Sequence, residues 1–315
     1  MTGLTADDRD PPTTSGAIAV ANLHAQIDGL TARLPTPRSM QAAGTSPAVL
    51  EQALLVDLLL LRGQVLGRIA DYERAAGLAD VLVRDAPDDG AAWLARARSR
   101  ATFHRFTEAL GDLDAAAQRG VDRAAVDGDR AAILQGIGCS AEALELRRDA
   151  AERRPDLATL GSLAVLKAEH GEVAEAESLF TEARLRYRGV SPFPVAEIDF
   201  RRGLMWLGER DLHAAHVWFT AAVRRVPAHA PALGRLAEID AARGALDAAV
   251  ARLHAVTMYS DDPQYAHTLA CVLSDAGRPQ EAERWRICAA GRYEELLSRY
   301  PEAFAHHVLV DHDHC

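Results

Sequence analysis

Apolar residues recur at spacings of three and four along almost the whole chain, and the strict alternation that marks a half-buried strand is absent. The pattern predicts helices throughout. Val20, Leu23, Ile27, Leu30 and Leu34 share one face of a helix over 17–34. The segment PTPRSMQAAGTSP (35–47) ends it with prolines and a glycine. Beyond it a longer rhythm sets in. Ala75, Ala109 and Ala143 lie 34 residues apart, Ala176 follows after a slip of one residue, and Ala215, Ala249 and Ala282 again keep close to that interval. Each stands in a similar phrase, as in YERAAGLADVLVRDAP (72–87), GEVAEAESLFTEA (171–183), LHAAHVWFTAAVRRVP (212–227) and GALDAAVARLHAV (244–256). A large apolar residue comes about four positions after the alanine, and a proline often a turn later. A fixed period of this length signals stacked supersecondary units in place of one globular core.

The pattern predicts helix pairs at about 55–87, 90–121, 124–155, 157–188, 196–227, 230–261 and 263–296. Gly63, Trp93, Leu163, Gly203, Leu236 and Leu269 fall on the packing side of the first helices. Gly171, Gly244 and Gly277 stand at turns inside pairs, where a left-handed cap suits glycine. The alanines belong to the second helices, where a large side chain would hold two backbones apart. The third pair is the weakest: Asp127, Gly128 and Asp129 are expected to interrupt its first helix, and Arg147 occupies a position that calls for a large apolar residue. RGVSPFPV (188–195) reads as an inserted loop because of its two prolines.

These residues resemble the tetratricopeptide repeat family, whose repeat has the same period and a Trp–Leu–Gly–Tyr, Ala, Phe, Pro pattern. The best matches are Trp93, Phe106 and Ala109; Leu163, Gly171, Ala176, Phe180 and Ala183; Gly203, Ala215, Phe219, Ala222 and Pro227; and Leu236, Ala237, Gly244, Ala249 and Leu253. They cover roughly residues 50–296. The resemblance implies an all-α, right-handed α-solenoid of about seven antiparallel helix pairs, with the helix over 17–34 as an N-terminal cap. The expected organisation is a disordered segment over 1–16, cap and linker over 17–47, solenoid over 48–300, and an incomplete repeat or His/Cys tail over 301–315.

In this family the first helix of each pair lines a concave channel. Mapped onto this chain, the implied contacts are Leu60, Gln64, Leu94, Arg98, Val165, Glu169, Phe200, Leu204, Glu238, His267 and Cys271. Relatives that clamp a C-terminal carboxylate use Lys and Asn, and neither stands at the matching positions, so that activity does not carry over. The surface is mainly apolar with scattered acids, which suits a peptide or protein segment with apolar anchors and basic residues. The implied function is a protein- or peptide-binding scaffold.

Charge narrows the partners. The formal net charge of −10 disfavours nucleic acid, because an acidic chain repels phosphate backbones. No apolar run is long enough to span a membrane, and the acidic, polar N-terminus does not read as a secretory leader. Cys139, Cys271, Cys288 and Cys315 are dispersed with no CxxC pair, which predicts reduced thiols in a cytoplasmic protein, while the heavy use of Ala and Arg points to a bacterial source.

Motifs of enzyme chemistry are absent: no phosphate-cradling loop, dinucleotide fingerprint, HExxH or GxSxG occurs. The expectation is no enzyme and no cofactor. His267 and Cys271 lie one helical turn apart, but two ligands do not make a metal site. The alternative function is metal binding or sensing by the C-terminal tail, where His306, His307, His312, His314 and Cys315 combine imidazole and thiolate ligands. RYPEAFAHHVLV otherwise reads as the first helix of an unfinished repeat, whose apolar edge is a candidate surface for self-association.

Overall fold

The computed structural model describes residues 11–34 and 47–310, the side chains of 306–310 excepted. All regular structure among them is α-helical. In chain order the helices are α1 (Gly16–Ala32), α2 (Pro47–Leu66), α3 (Ile69–Asp85), α4 (Gly90–Thr102), α5 (Phe106–Gln118), α6 (Arg123–Gly136), α7 (Ser140–Arg153), α8 (Leu157–Glu169), α9 (Val173–Arg186), α10 (Phe193–Gly208), α11 (Leu212–Arg225), α12 (Ala230–Ala242), α13 (Leu246–Thr257), α14 (Pro263–Asp275), α15 (Pro279–Arg299) and α16 (Pro301–Val310). Sequence neighbours pack as pairs: α2 on α3, α4 on α5, α8 on α9, α10 on α11 and α14 on α15. This is the all-α repeat fold of the α-solenoid class. No helix among the described residues is long and apolar enough to cross a membrane.

One backbone device repeats in every pair from α2 to α15. The turn holds a single residue with positive φ: Gly67 (63°), His104 (58°), Gly138 (82°), Gly171 (77°), Arg210 (60°), Gly244 (79°) and Gly277 (72°). The orphan carbonyls of the first helix are closed by the amides that follow. Gly171 N–H donates to Ala168 O at 3.0 Å and Glu172 N–H to Lys167 O at 2.9 Å. The same pattern recurs at Arg210 and Asp211, which donate to Leu207 O and Trp206 O, each at 3.0 Å. Such a left-handed cap reverses the chain in two or three residues.

The second helices then nest through small notches. Ala75, Ala109, Ala143, Ala176, Ala215 and Ala249 are all 0% exposed. Four residues later Leu113, Phe180, Phe219 and Leu253 are equally buried, one turn along the same face. On the first helices glycine serves the same purpose where a ring must fit. A Cβ on Gly203 would lie 2.5 Å from the Phe219 ring, and one on Gly63 would lie 2.3 Å from the Tyr72 ring. Aspartates cap several helices; Asp156 accepts from the amides of Ala158 and Thr159 at 3.0 and 3.1 Å and forms a reciprocal box with Thr159.

Several sequence expectations change. The helix α6 runs unbroken through Asp127, Gly128 and Asp129, because nothing crowds Gly128 and both acids sit on helical backbone. Pro194 lies in the first turn of α10, where its missing N–H costs no helical bond, so the inserted loop is shorter than the sequence implied. Residues 11–15, expected to be disordered, are held: Thr14 N–H donates to Val190 O at 2.8 Å, and Arg225 donates to Pro11 O and Thr13 Oγ1. Residues 1–10 and the linker over 35–46 lie outside the described residues.

The chain divides into two compact units, with divisions inside α1, α6 and α12. The first takes residues up to Asn22 and Asp127–Ala232. Its core joins Leu157, Ala164, Phe180, Val195, Ile198 and Met205. Beside that core lies a buried charge network. Arg184 donates to Asp199 at 2.6 Å, and Arg202 forks onto Glu177 while its guanidinium sits 3.7 Å from the centre of the Trp218 ring.

The second unit takes Leu23–Val126 and Leu233 onward. Here burial is not confined to sequence neighbours, as a simple solenoid would have it. Ile69 and Phe103 share a core with Ala266, Tyr293, Leu296, Ala303 and Phe304. Phe103 stacks on Tyr300 with ring centroids 3.8 Å apart. Around this core Ser260 donates to Gly67 O at 2.5 Å, and Arg292 and Arg299 both reach Glu73, at 2.7 and 2.5 Å. Ala303 and Phe304, the described part of the apolar edge of α16, pack against the chain's own first repeats. Two aromatic surfaces some two hundred residues apart in sequence supply the driving force, and no periodicity records that pairing.

Candidate functional site

The residues implied by the family resemblance divide between the units. In the first unit α8 packs on α10, which brings Val165 and Glu169 onto one first helix and Phe200 and Leu204 onto its neighbour. Val165 and Leu204 are half-buried and Glu169 is exposed. Both carboxylate oxygens of Glu169 accept from Gln135 Nε2 at 2.8 Å. Phe200 does not stand clear as expected. It is only 9% exposed, with its ring centroid 5.7 Å from that of Phe219 and 5.4 Å from that of His229. Ring-to-ring packing between α10 and α11 draws it into the core.

His229 was not anticipated as part of this arrangement. It is fully buried, and its Nδ1 accepts the Ala232 amide at 3.2 Å, so the neutral ring carries its proton on Nε2. Burial lowers its pKa below the ordinary histidine value. Its place before α12 is that of a helix cap, a role for which histidine leaves little trace in sequence.

In the second unit Gln64 is exposed, Leu94 is half-buried, and Arg98 spans both oxygens of Asp57 at 3.0 and 2.9 Å. Glu238 pairs with Arg235 at 2.8 Å. These two charges are therefore already engaged on their own surfaces. His267 Nε2 lies 3.5 Å from Cys271 Sγ. Cys271 is disulfide-bonded, contrary to the expected reduced thiol; Cys139 and Cys288 are free and exposed. Among the described residues no group of three metal-ligating side chains comes together. His306 and His307 fall on the backbone of α16 with side chains outside the described residues, and His312, His314 and Cys315 lie outside them altogether.

What sequence reasoning missed is the charged interior. Arg62 forks onto Asp71, and Arg96 and Arg100 converge on Asp112. Arg252 binds Asp240 at 2.9 Å. The separations of these pairs vary from hairpin to hairpin, so no regular spacing announces them.

A family model described as the tetratricopeptide repeat matches residues 207–271, the end of α10 through most of α14. That span holds two of the left-handed turns and two of the alanine notches. Residues 207–271 are a tetratricopeptide-repeat segment. No curated protein matches the chain. Among solved structures, the APC/C heterotetramer Cut9–Hcn1 is similar over 90% of this chain and 52% of that one, with 15% identity and a TM-score of 0.55. A human IFIT1 dimer with PPP-AAAA is similar over 87% of this chain and 65% of that one, with 16% identity and a TM-score of 0.59. This chain thus spans less than two thirds of either of those chains. At these identities the likeness is one of fold.

Proposed function

We propose that this tetratricopeptide protein is a non-catalytic scaffold that holds a peptide or protein segment on its first-helix faces. One observation carries the reading: the packed first helices α8 and α10 leave Val165 and Leu204 half-buried beside the exposed Glu169. That is an apolar strip with an acidic margin, and it suits a segment with apolar anchors and a basic residue. Phe200 supports the strip from below and is no contact itself. The Ala- and Arg-rich composition supports a bacterial source, and a cytoplasmic location, which the bonded Cys271 does not favour, is checked by fractionation of the native cell.

The test is selection from a random-peptide display library on the purified chain. Selected peptides should be rich in Leu, Phe, Lys and Arg. The double variant Val165→Asp/Leu204→Asp should weaken their binding at least about tenfold, as expected when apolar anchors at an interface centre meet a charge. Leu212→Asp, at an exposed position on α11, should leave binding unchanged. Equal binding by the double variant, with helical content intact, ends the proposal.

A further inference from the structure

In the second unit a single residue, Tyr300 (φ −138°, ψ 61°), separates α15 from α16, and Pro301 opens α16. A proline inside a merged helix would break it, so α16 stays a separate arm that turns about Tyr300. Its described apolar residues, Ala303 and Phe304, are buried in one core with Ile69 of α3 and with Phe103, which stands in the turn between α4 and α5. The rings of Tyr300 and Phe103 stack with their planes 11° apart. Tyr72 meets the same Phe103 ring edge-on, with centroids 6.4 Å apart.

The two sides of this hinge are held unequally. On α15, Ala289, Tyr293 and Leu296 reach into the core, and Arg292 binds Glu73 at 2.7 Å and lies 3.5 Å from Asp261. Asp261 also accepts the Ala70 amide at the start of α3, at 3.0 Å, so α15 and α3 are tied through shared charges. From Arg299 onward the chain rests on the aromatic seat, with the Arg299–Glu73 pair at its edge. The Arg299 side chain is 52% exposed, so that pair contributes little. Terminal segments with few anchors open at the lowest free energy, which makes Tyr300 the point where release begins.

We propose that α16 is an exchangeable arm, which leaves its own chain at high concentration and seats on the Ile69, Tyr72 and Phe103 face of a second copy. An opened chain exposes both an aromatic face and the aromatic arm that fits it, so a second copy offers the complementary surface by identity. Charge agrees with shape, because the incoming Arg299 brings the cation that Glu73 already accepts. Each face is then completed by Tyr300 and Phe304 of the other copy. At low concentration the short tether favours closure within one chain. The first-helix strip of the first unit takes no part, and either reading can fail without the other.

Complementation between full-length chains tests it. Phe103→Ala spoils the face and leaves the arm intact, whereas Tyr300→Ala/Phe304→Ala spoils the arm and leaves the face. In sedimentation equilibrium each variant alone should be a monomer. An equimolar mixture should form a one-to-one heterodimer with a Kd of about 0.1 mM or tighter, since one intact arm then meets one intact face. If both variants keep the far-ultraviolet circular dichroism spectrum of the parent, the mixture decides. A mixture that stays monomeric overturns the proposal, and so does a dimer formed equally by either variant alone, which places the contact on another surface. If either variant loses helical content, the parent decides: refolded at about 1 mM it should yield a dimer, and a parent that stays monomeric overturns the proposal.

Discussion

The hairpins α6/α7 and α10/α11 share one backbone plan and differ in how they are filled. Both place a fully buried alanine in the notch, Ala143 and Ala215, and both close their turn with a left-handed residue. Four residues after the alanine they diverge. In α11 that position is Phe219, wholly buried against Gly203 and Phe200. In α7 it is Arg147, whose buried Nε finds no acceptor and whose pKa is lowered by burial, with only Asp129 acting to raise it. The helix α7 buries just Ala143 and Ala151, whereas α11 buries Ala214, Ala215, Trp218, Phe219 and Ala222. The turn and notch therefore define the repeat, while the large residue decides how firmly each hairpin is held.

The sharpest way to break the comparison is to empty the well-filled hairpin. Phe219→Ala should cost about 3–5 kcal/mol, the usual loss for a buried aromatic. Urea unfolding, with hydrogen exchange to localise the loss to α10 and α11, measures it. A cost below about 1 kcal/mol would show that the notch alone carries the hairpin. Next comes the poorly filled one. Arg147→Leu removes a desolvated charge and adds apolar contact, and should raise stability by about 1–2 kcal/mol. A loss on the same assay would mean that Arg147 holds a role the packing does not reveal.

The turns give a smaller and opposite contrast. Gly138 (φ 82°) closes the weak hairpin without strain, whereas Arg210 (φ 60°) closes the strong one in a region that disfavours a side chain. Gly138→Ala should cost about 1 kcal/mol, although nothing lies within 4 Å of the added Cβ. Arg210→Gly should gain about 0.5 kcal/mol, since relief of strain is offset by chain entropy. Thermal unfolding of both variants checks the signs.

The last effect is pH-dependent and local to Phe200 and His229. Burial holds the folded pKa of His229 below its unfolded value of about 6.5. Between those values only the unfolded chain binds the proton, so the contribution is complete above the unfolded pKa and is lost as pH falls through that window. His24 in the second unit, lowered by burial and by Arg62 and Arg68, acts with the same sign. His229→Asn keeps an acceptor for the Ala232 amide and should flatten the stability profile below about pH 6.5. An unchanged slope would remove His229 from the account.

Much of this architecture was legible beforehand, for a reason visible in particular residues. The notch alanines and the residues four positions on are local requirements of two helices meeting at close range, so each hairpin writes them at the same spacing. Gly171, Gly244 and Gly277 were legible as turns because glycine is the ordinary occupant of left-handed backbone. His104 and Arg210 adopt the same conformation and were not, since the closing hydrogen bonds, independent of the side chain, impose it. The first-helix strip was legible only in outline. Val165, Glu169 and Leu204 stay at least partly accessible, whereas Phe200 is drawn inward by rings on α11 and before α12, a choice that helical spacing does not encode.

By itself the sequence determined the repeat: its helices, turns and notches, all of which rest on contacts within one period. Only the tertiary structure decided what depends on residues far apart in the chain. It joined Phe103 to Tyr300, gathered Arg184, Asp199 and Arg225 beneath the segment before α1, and buried Phe200 beside His229. Short-range packing leaves a period in the sequence because every repeat must satisfy it. A long-range contact is made once, between surfaces that no other repeat shares, and so leaves none.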